Sequence, residues 1–279
     1  MHCVKLLLFF MILANCSVKS LIQSRRFKNT QPAISGGQAT ITFVSLFKKN
    51  FVVKSFHDRL DFENEAYVLS KLRHCENVIQ PIFVDPNNKS IAFCKIDGGD
   101  LTKANIQRYS DTELRMMARQ LVETVQCVHQ AGFVHFDIKP ENVLLADSEI
   151  KITLIDYGLA RPAKYGERRV GSLATMAPEM LQASMFWLPI TKAADWWSVG
   201  VTLFYLFAKR FKIYDQAHFG HYPYCINEER IEWPERLPDF PVHLLDLLYG
   251  KGGLLMVDPR LRCVDGRSLL DHTFFCDQH

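Results

Sequence analysis

The chain has 279 residues, of which 48% are hydrophobic and 23% charged. That length suits one two-lobed enzyme or two small domains, and the apolar content excludes a disordered chain. The net charge of +3, with no long basic run, argues against nucleic acid as a partner.

The first element is an apolar leader. Met1 to Lys5 is short and carries one positive charge, Leu6 to Ala14 is an unbroken apolar run, and small residues follow. This layout predicts a secretory signal peptide over residues 1–20, cut after Cys16 or Ser20; the run is too short to span a bilayer. The secretory pathway or the exterior is then the expected destination. A buried strand or an uncleaved anchor, on a cytoplasmic or membrane-anchored protein, is the alternative. Of the eight cysteines, Cys3 would leave with the leader, and Cys16 would go with it where the cut removes both. An even set (Cys75, Cys94, Cys127, Cys225, Cys263 and Cys276) permits disulfides in an oxidising compartment without fixing their pairing. No CxxC or Cys/His cluster suggests zinc. Cys94 and Cys127 fall in apolar runs and read as buried thiols.

Residues 34 to 56 read as strands, rich in β-branched and aromatic residues, the last ending Phe51-Val52-Val53-Lys54. Asp58 to Leu72 reads as a helix with Phe62, Ala66, Leu69 and Leu72 on one face. Pro86-Asn87-Asn88 is a turn between two further strands, the second carrying Ile91-Ala92-Phe93. Beyond Gly98-Gly99 the chain becomes mainly helical. Ser110 and Glu113 form a capping box ahead of Leu114, Met117, Ala118, Leu121, Val122, Val125 and Val128 at helical spacing, and Gly132 ends that helix. Trp196 to Ala208 is apolar nearly all round, the pattern of a buried core helix.

Several polar groups stand in a fixed order along these elements. Lys54 ends a strand and Glu65 lies in the next helix. His135-Phe136-Asp137-Ile138-Lys139-Pro140-Glu141-Asn142 follows the capped helix. Asp156-Tyr157-Gly158 follows the strand-like run Ile150–Ile155. Ala177-Pro178-Glu179 precedes Asp195-Trp196-Trp197. Singly, each has a plain structural use: a solvated strand tip, a helix face, a turn aspartate, loop hydrogen bonds. Their joint order and spacing resemble the protein kinase family over residues 32–276. The resemblance implies an α+β, two-lobed protein kinase fold, with a small strand-rich lobe over about 32–97 and a larger helical lobe over about 98–276.

The resemblance also implies roles, with ATP and Mg²⁺ as cofactors in the cleft. Lys54, fixed by Glu65, would hold the α- and β-phosphates; Asn142 and Asp156 would bind magnesium through hard oxygen donors. Asp137 would accept the proton of the substrate hydroxyl. Lys139 resembles the lysine of serine/threonine kinases that contacts the γ-phosphate, which implies protein substrates with Ser or Thr acceptors. Gly36 and Gly37 would belong to the phosphate loop. Ile41, Val52, Phe93, Cys94, Ile96 and Leu144 would enclose adenine, with Phe93 as gatekeeper and Cys94-Lys95-Ile96 as hinge; Asp100 would reach the ribose. Gly171 and Ser172 resemble the loop that docks the substrate hydroxyl. Asp195 resembles the tether of the catalytic loop, and Glu179 the partner of a distant arginine, here Arg262. Leu69, His135 and Tyr157 would join a packed hydrophobic column.

Three departures bear on activity. In Ile34-Ser35-Gly36-Gly37-Gln38-Ala39 only the middle glycine of the G-x-G-x-x-G pattern is kept, so backbone approach to phosphate is less open. Val52 replaces a smaller alanine beneath adenine. Phe136 replaces the arginine that binds a phosphorylated activation loop, so phosphatase treatment is expected to leave turnover unchanged. The alternatives to an active serine/threonine kinase are a pseudokinase acting as a binding or scaffolding module, and a kinase of small molecules or lipids. The Ala177-Pro178-Glu179 segment argues against the latter.

Overall fold

The computed structural model describes residues 28–29, 32–46, 49–146, 148–162, 170–181, 191–210 and 242–276. The leader expected over residues 1–20, and Cys225, lie outside these. The described chain is α+β and forms two units. One runs to Arg73 and resumes over Ile79–Ile96; the other comprises His74–Val78 and everything from Asp97.

The first unit is a six-stranded antiparallel sheet in the order β1 (Lys28–Asn29), β3 (Ala39–Leu46), β4 (Lys49–Phe56), β6 (Ser90–Cys94), β5 (Pro81–Asp85), with β2 (Ile34–Ser35) also paired to β3. Register sets its working face. Ile41 lies opposite Lys54, and Lys54 opposite Ile91; Phe43 lies opposite Val52, and Val52 opposite Phe93. Directly opposed residues share a face and alternate residues return to it, so Ile41, Val52, Lys54 and Phe93 stand on one side of the sheet. Helix α1 (Arg59–Lys71) starts where Asp58 caps it, accepting from the Leu60 N–H at 2.7 Å. Its buried residues are Phe62, Glu65, Val68 and Leu69. Ala66, expected on that face, is only half-buried at its margin; Val68 takes the central place.

The second unit is built on α2 (Asp111–Gln130), whose capping box is complete: Ser110 accepts from the Glu113 N–H, and Glu113 accepts from the Ser110 N–H. All seven apolar residues expected on its inner face are buried. Gly132 leaves the helix at φ +91°. Short antiparallel pairs follow, β7 (Phe133–Val134) with β10 (Arg161–Pro162) and β8 (Val143–Leu145) with β9 (Ile152–Leu154). Strand β9 covers only Ile152–Leu154 of the expected Ile150–Ile155; just past its end the Ile155 N–H bonds the Asn142 carbonyl, next in register on the β8 side. Helices α3 (Pro178–Leu181), α4 (Ala193–Arg210), α5 (Val242–Tyr249) and α6 (Gly266–Leu270) also belong to the unit. Trp196, Trp197, Phe204 and Phe207 on α4 are almost wholly buried. Among the described residues, no helix is long and apolar enough to cross a membrane.

The cysteines differ from expectation. Cys127 is not a buried thiol: it forms a disulfide with Cys75, across a separation of 52 residues, with the Cα atoms 5.8 Å apart. Cys94 is exposed, because it ends β6 where the sheet gives out.

Candidate active site

In the second unit, the loop after β7 is held from below by one buried carboxylate. Asp195, near the start of α4, accepts from the His135 N–H at 2.8 Å and the Phe136 N–H at 2.9 Å, and bonds His129 Nε2 at 2.8 Å. Burial pushes the Asp195 carboxyl upward, but these bonds and the field of His129 outweigh it and hold the group below its ordinary 3.8. Phe136 is thereby kept at φ +65°, a strained setting for an aromatic residue that only a fixed loop sustains. His135 is buried, and burial, opposed by the fields of Asp195, Asp137 and Asp156, keeps its pKa below 6.5. Its Nδ1 accepts the Asp137 N–H and its Nε2 donates to the Ile155 carbonyl, which assigns the neutral Nε2–H tautomer.

That loop delivers Asp137 into a cluster. Asn142 Nδ2 donates to the Asp137 carbonyl at 2.8 Å and to its Oδ2 at 2.9 Å. Lys139 Nζ lies 2.8 Å from the same Oδ2 and donates to Ser172 Oγ at 2.7 Å; Ser172 Oγ donates to Asp137 Oδ1 at 2.8 Å. Beside it, a cavity of about 320 Å³ is lined by Lys139, Glu141, Asn142, Ser172, Thr175 and Tyr205, among others. Burial, with the fields of Glu141 and Asp100, raises the Tyr205 hydroxyl above 10.

The donor set fits a hard divalent cation. Asn142 spends its amide nitrogen on Asp137, which turns its amide oxygen outward as an acceptor, and Asp156 supplies a carboxylate from a left-handed residue at φ +64°. Asp156 lies two residues beyond β9, and the intervening Ile155 is bound through its N–H to the Asn142 carbonyl at 2.9 Å, so Asn142 and Asp156 share one piece of backbone scaffold.

Gly171 is the residue whose necessity only the structure makes plain. It has φ +99°, and a Cβ on it would stand 2.1 Å from the Phe136 carbonyl oxygen. Only glycine lets the Ser172 segment approach the loop after β7 so closely. Gly98 behaves likewise, its Cβ falling 2.2 Å from the Leu145 carbonyl. Asp100 and Leu144, both assigned to the nucleotide, meet in an antiparallel bridge. The Asp100 carboxylate is engaged by Thr102 and by Lys103, whose Nζ is 2.7 Å away; burial pushes that carboxyl up, but the Lys103 and Thr102 bonds bring it below 3.8.

In the first unit, Lys54 Nζ donates to Glu65 Oε2 at 2.6 Å, with both residues buried. Ile41 and Val52 are half-buried and Phe93 is buried on the same sheet face; Ile96 is half-buried beyond β6. Gly36 and Gly37 form an exposed hairpin tip, where the Gly36 N–H donates to the Ala39 carbonyl at 2.9 Å. The tip is further tied to the β4–α1 turn, with the His57 N–H bonded to the Gln38 carbonyl at 3.0 Å.

The sequence profile of the protein kinase domain matches residues 42–275. The chain belongs to the protein kinase family. Myosin light chain kinase 3 of Rattus norvegicus is 31% identical to this kinase over 208 residues, covering 68% of the chain and 26% of that protein. Calcium/calmodulin-dependent protein kinase type 1 of Caenorhabditis briggsae is 32% identical over 176 residues, covering 60% and 48%. Myosin light chain kinase family member 4 of Homo sapiens is 32% identical over 178 residues, covering 61% and 45%. The match thus spans between about a quarter and about half of the length of these relatives. In this kinase the Ala177-Pro178-Glu179 segment is fastened by Arg262, whose Nη1 lies 2.9 Å from Glu179 Oε1 with both side chains buried.

Proposed function

We propose that the chain is a serine/threonine protein kinase, transferring the γ-phosphate of ATP to protein hydroxyls with Asp137 as base. The cluster around Asp137 carries this reading. Ser172 Oγ donates to Asp137 Oδ1 while accepting from Lys139 Nζ. An acceptor hydroxyl in the same relation gives its proton to Asp137 as its oxygen bonds the γ-phosphorus and the bond to the β-phosphate oxygen breaks. Lys139 meets the charge that gathers on the transferred group, and Asn142 holds the Asp137 carboxylate in line. Magnesium, held by Asn142 and Asp156, would neutralise the phosphate oxygens. In the first unit Lys54 is the phosphate-binding cation, oriented by Glu65. The cavity at Lys139, Ser172 and Tyr205 supports a peptide carrying Ser or Thr as acceptor.

A second reading, a pseudokinase that binds partners, is favoured by one observation. The Gly36 N–H is committed to Ala39, and Ile34 and Ala39 carry side chains on the phosphate loop. One assay separates the two: purified protein with Mg-ATP and a generic protein substrate, beside Asp156→Ala. Phosphate incorporation that falls by about a hundredfold or more in the variant is the expected result. No incorporation by either protein sinks the enzyme and leaves the binding module. The apolar leader and the Cys75–Cys127 disulfide together support entry into an oxidising compartment.

A further inference from the structure

The Cys75–Cys127 disulfide takes no part in the chemistry above, yet it holds a segment, Cys75–Val78, that is bonded to the end of the strand that leads into Asp156. Helix α2 grips β9 at two places. At the first, Gln120 accepts the Ile152 N–H at 2.9 Å and donates to the Ile150 carbonyl at 2.8 Å. The second is indirect. Cys127, seven residues along α2 and therefore on the same face, is bonded to Cys75. Two residues on, the Asn77 carbonyl accepts the Leu154 N–H at 2.7 Å, and Val78 forms a parallel bridge with Leu154. Asn77 sits at φ +57°, so the carbonyl reaches β9 only from a fixed left-handed turn. Beyond Leu154, the Ile155 N–H binds the Asn142 carbonyl and the Ile155 carbonyl binds His135. Asp156 is next.

We propose that Cys75 and Cys127 are positioning residues of the metal site: their disulfide fixes the segment that braces the end of β9, so that Asp156 is held for magnesium in the oxidised protein. This rests on the reading above only in taking Asn142 and Asp156 as the magnesium ligands. The bond forms when the two thiols give two electrons and two protons to an oxidised dithiol exchange partner, which leaves as its dithiol. Reduction by a phosphine reverses it; the phosphine takes oxygen from water as its oxide, and both cysteines regain their protons. Distant support of this kind tunes a metal site as hydrogen-bonded outer groups do, so the effect is graded rather than absolute.

The test uses the full chain in four forms: oxidised, phosphine-reduced, reoxidised, and Cys75→Ala/Cys127→Ser. Amide exchange is followed at Leu154 and Ile155, with α4 as reference. Magnesium is titrated against binding of a fluorescent ADP. The expected result is faster exchange at Leu154 and a magnesium half-saturation raised roughly threefold to tenfold in the reduced and double-variant forms, with metal-free ADP binding unchanged and reoxidation restoring both. A lowered melting point with unaltered magnesium dependence and unaltered exchange at Leu154 would mean a staple only, and overturns the proposal. So would two free thiols with one bound zinc in the protein as isolated, since His74 Nε2 lies 3.7 Å from Cys75 Sγ and the three donors lie within 4.8 Å of one another. If no form binds the nucleotide, the kinase reading fails instead, and exchange at Leu154 alone decides the brace.

Discussion

Gly171 was assigned to the loop that docks the substrate hydroxyl and Gly37 to the phosphate loop, and the backbone treats the two glycines oppositely. A Cβ at Gly171 meets the Phe136 carbonyl at 2.1 Å from φ +99°, whereas one at Gly37 meets nothing within 4 Å. Gly171→Ala is therefore expected to cost about 2–5 kcal/mol in urea denaturation, the sum of backbone strain and a clash with main chain. Gly37→Ala should be near neutral in the same measurement. His135 gives the residue scale a pH dependence. It is buried neutral, so between its lowered folded pKa and 6.5 the unfolded chain binds the proton and the folded chain does not. Its contribution is whole above 6.5 and is lost as pH falls below that value, at up to about 1.4 kcal/mol per pH unit. Thermal denaturation from pH 7 to pH 5 should show a shallower loss in His135→Phe than in the natural protein; equal slopes would contradict it.

At the scale of elements, helices α1 and α2 were legible because their signals are local, and α4 because it is apolar nearly all round; α3, α5 and α6, at most eight residues long, were not read from the sequence. The Asp58 cap, the box at Ser110 and Glu113, and the glycine at 132 each act within a turn of where they stand. Strands β8 and β9, three residues each, have no such signal; pairing alone sets their ends. The Glu179–Arg262 pair joins α3 to a segment 83 residues away and is buried at both ends. Arg262 also donates to the Ala193 and Met256 carbonyls. Glu179→Ala leaves a guanidinium charge without its counter-ion in the core, and should cost about 3–5 kcal/mol by chemical denaturation. A loss under 1 kcal/mol, the usual worth of an exposed pair, would show that water reaches the site.

At the scale of the molecule, one short segment parts from its neighbours in the chain: His74–Val78 belongs to the second unit, although the residues before and after it belong to the first. The Cys75–Cys127 bond, the Asn77 carbonyl and the Val78 bridge to Leu154 tie it there. Closing a loop of 52 residues removes about 4 kcal/mol of chain entropy from the unfolded state, a large part of the roughly 5–15 kcal/mol by which ordinary proteins are stable. The reduced protein is accordingly expected to unfold at lower urea concentration than the oxidised one, by an amount of that order.

The order and spacing of Lys54, Glu65, Asp137, Asn142 and Asp156 carried the resemblance that implied the fold and the chemistry, and periodicity with local caps placed the helices, because spacing and caps are properties of the chain. Proximity is not. That Ser172 reaches Asp137, that Gly171 must lack a side chain, and that Cys127 finds Cys75 depend on contacts between segments 33 to 52 residues apart. Only the packed core, by fixing which backbone lies beside which, decides those pairs.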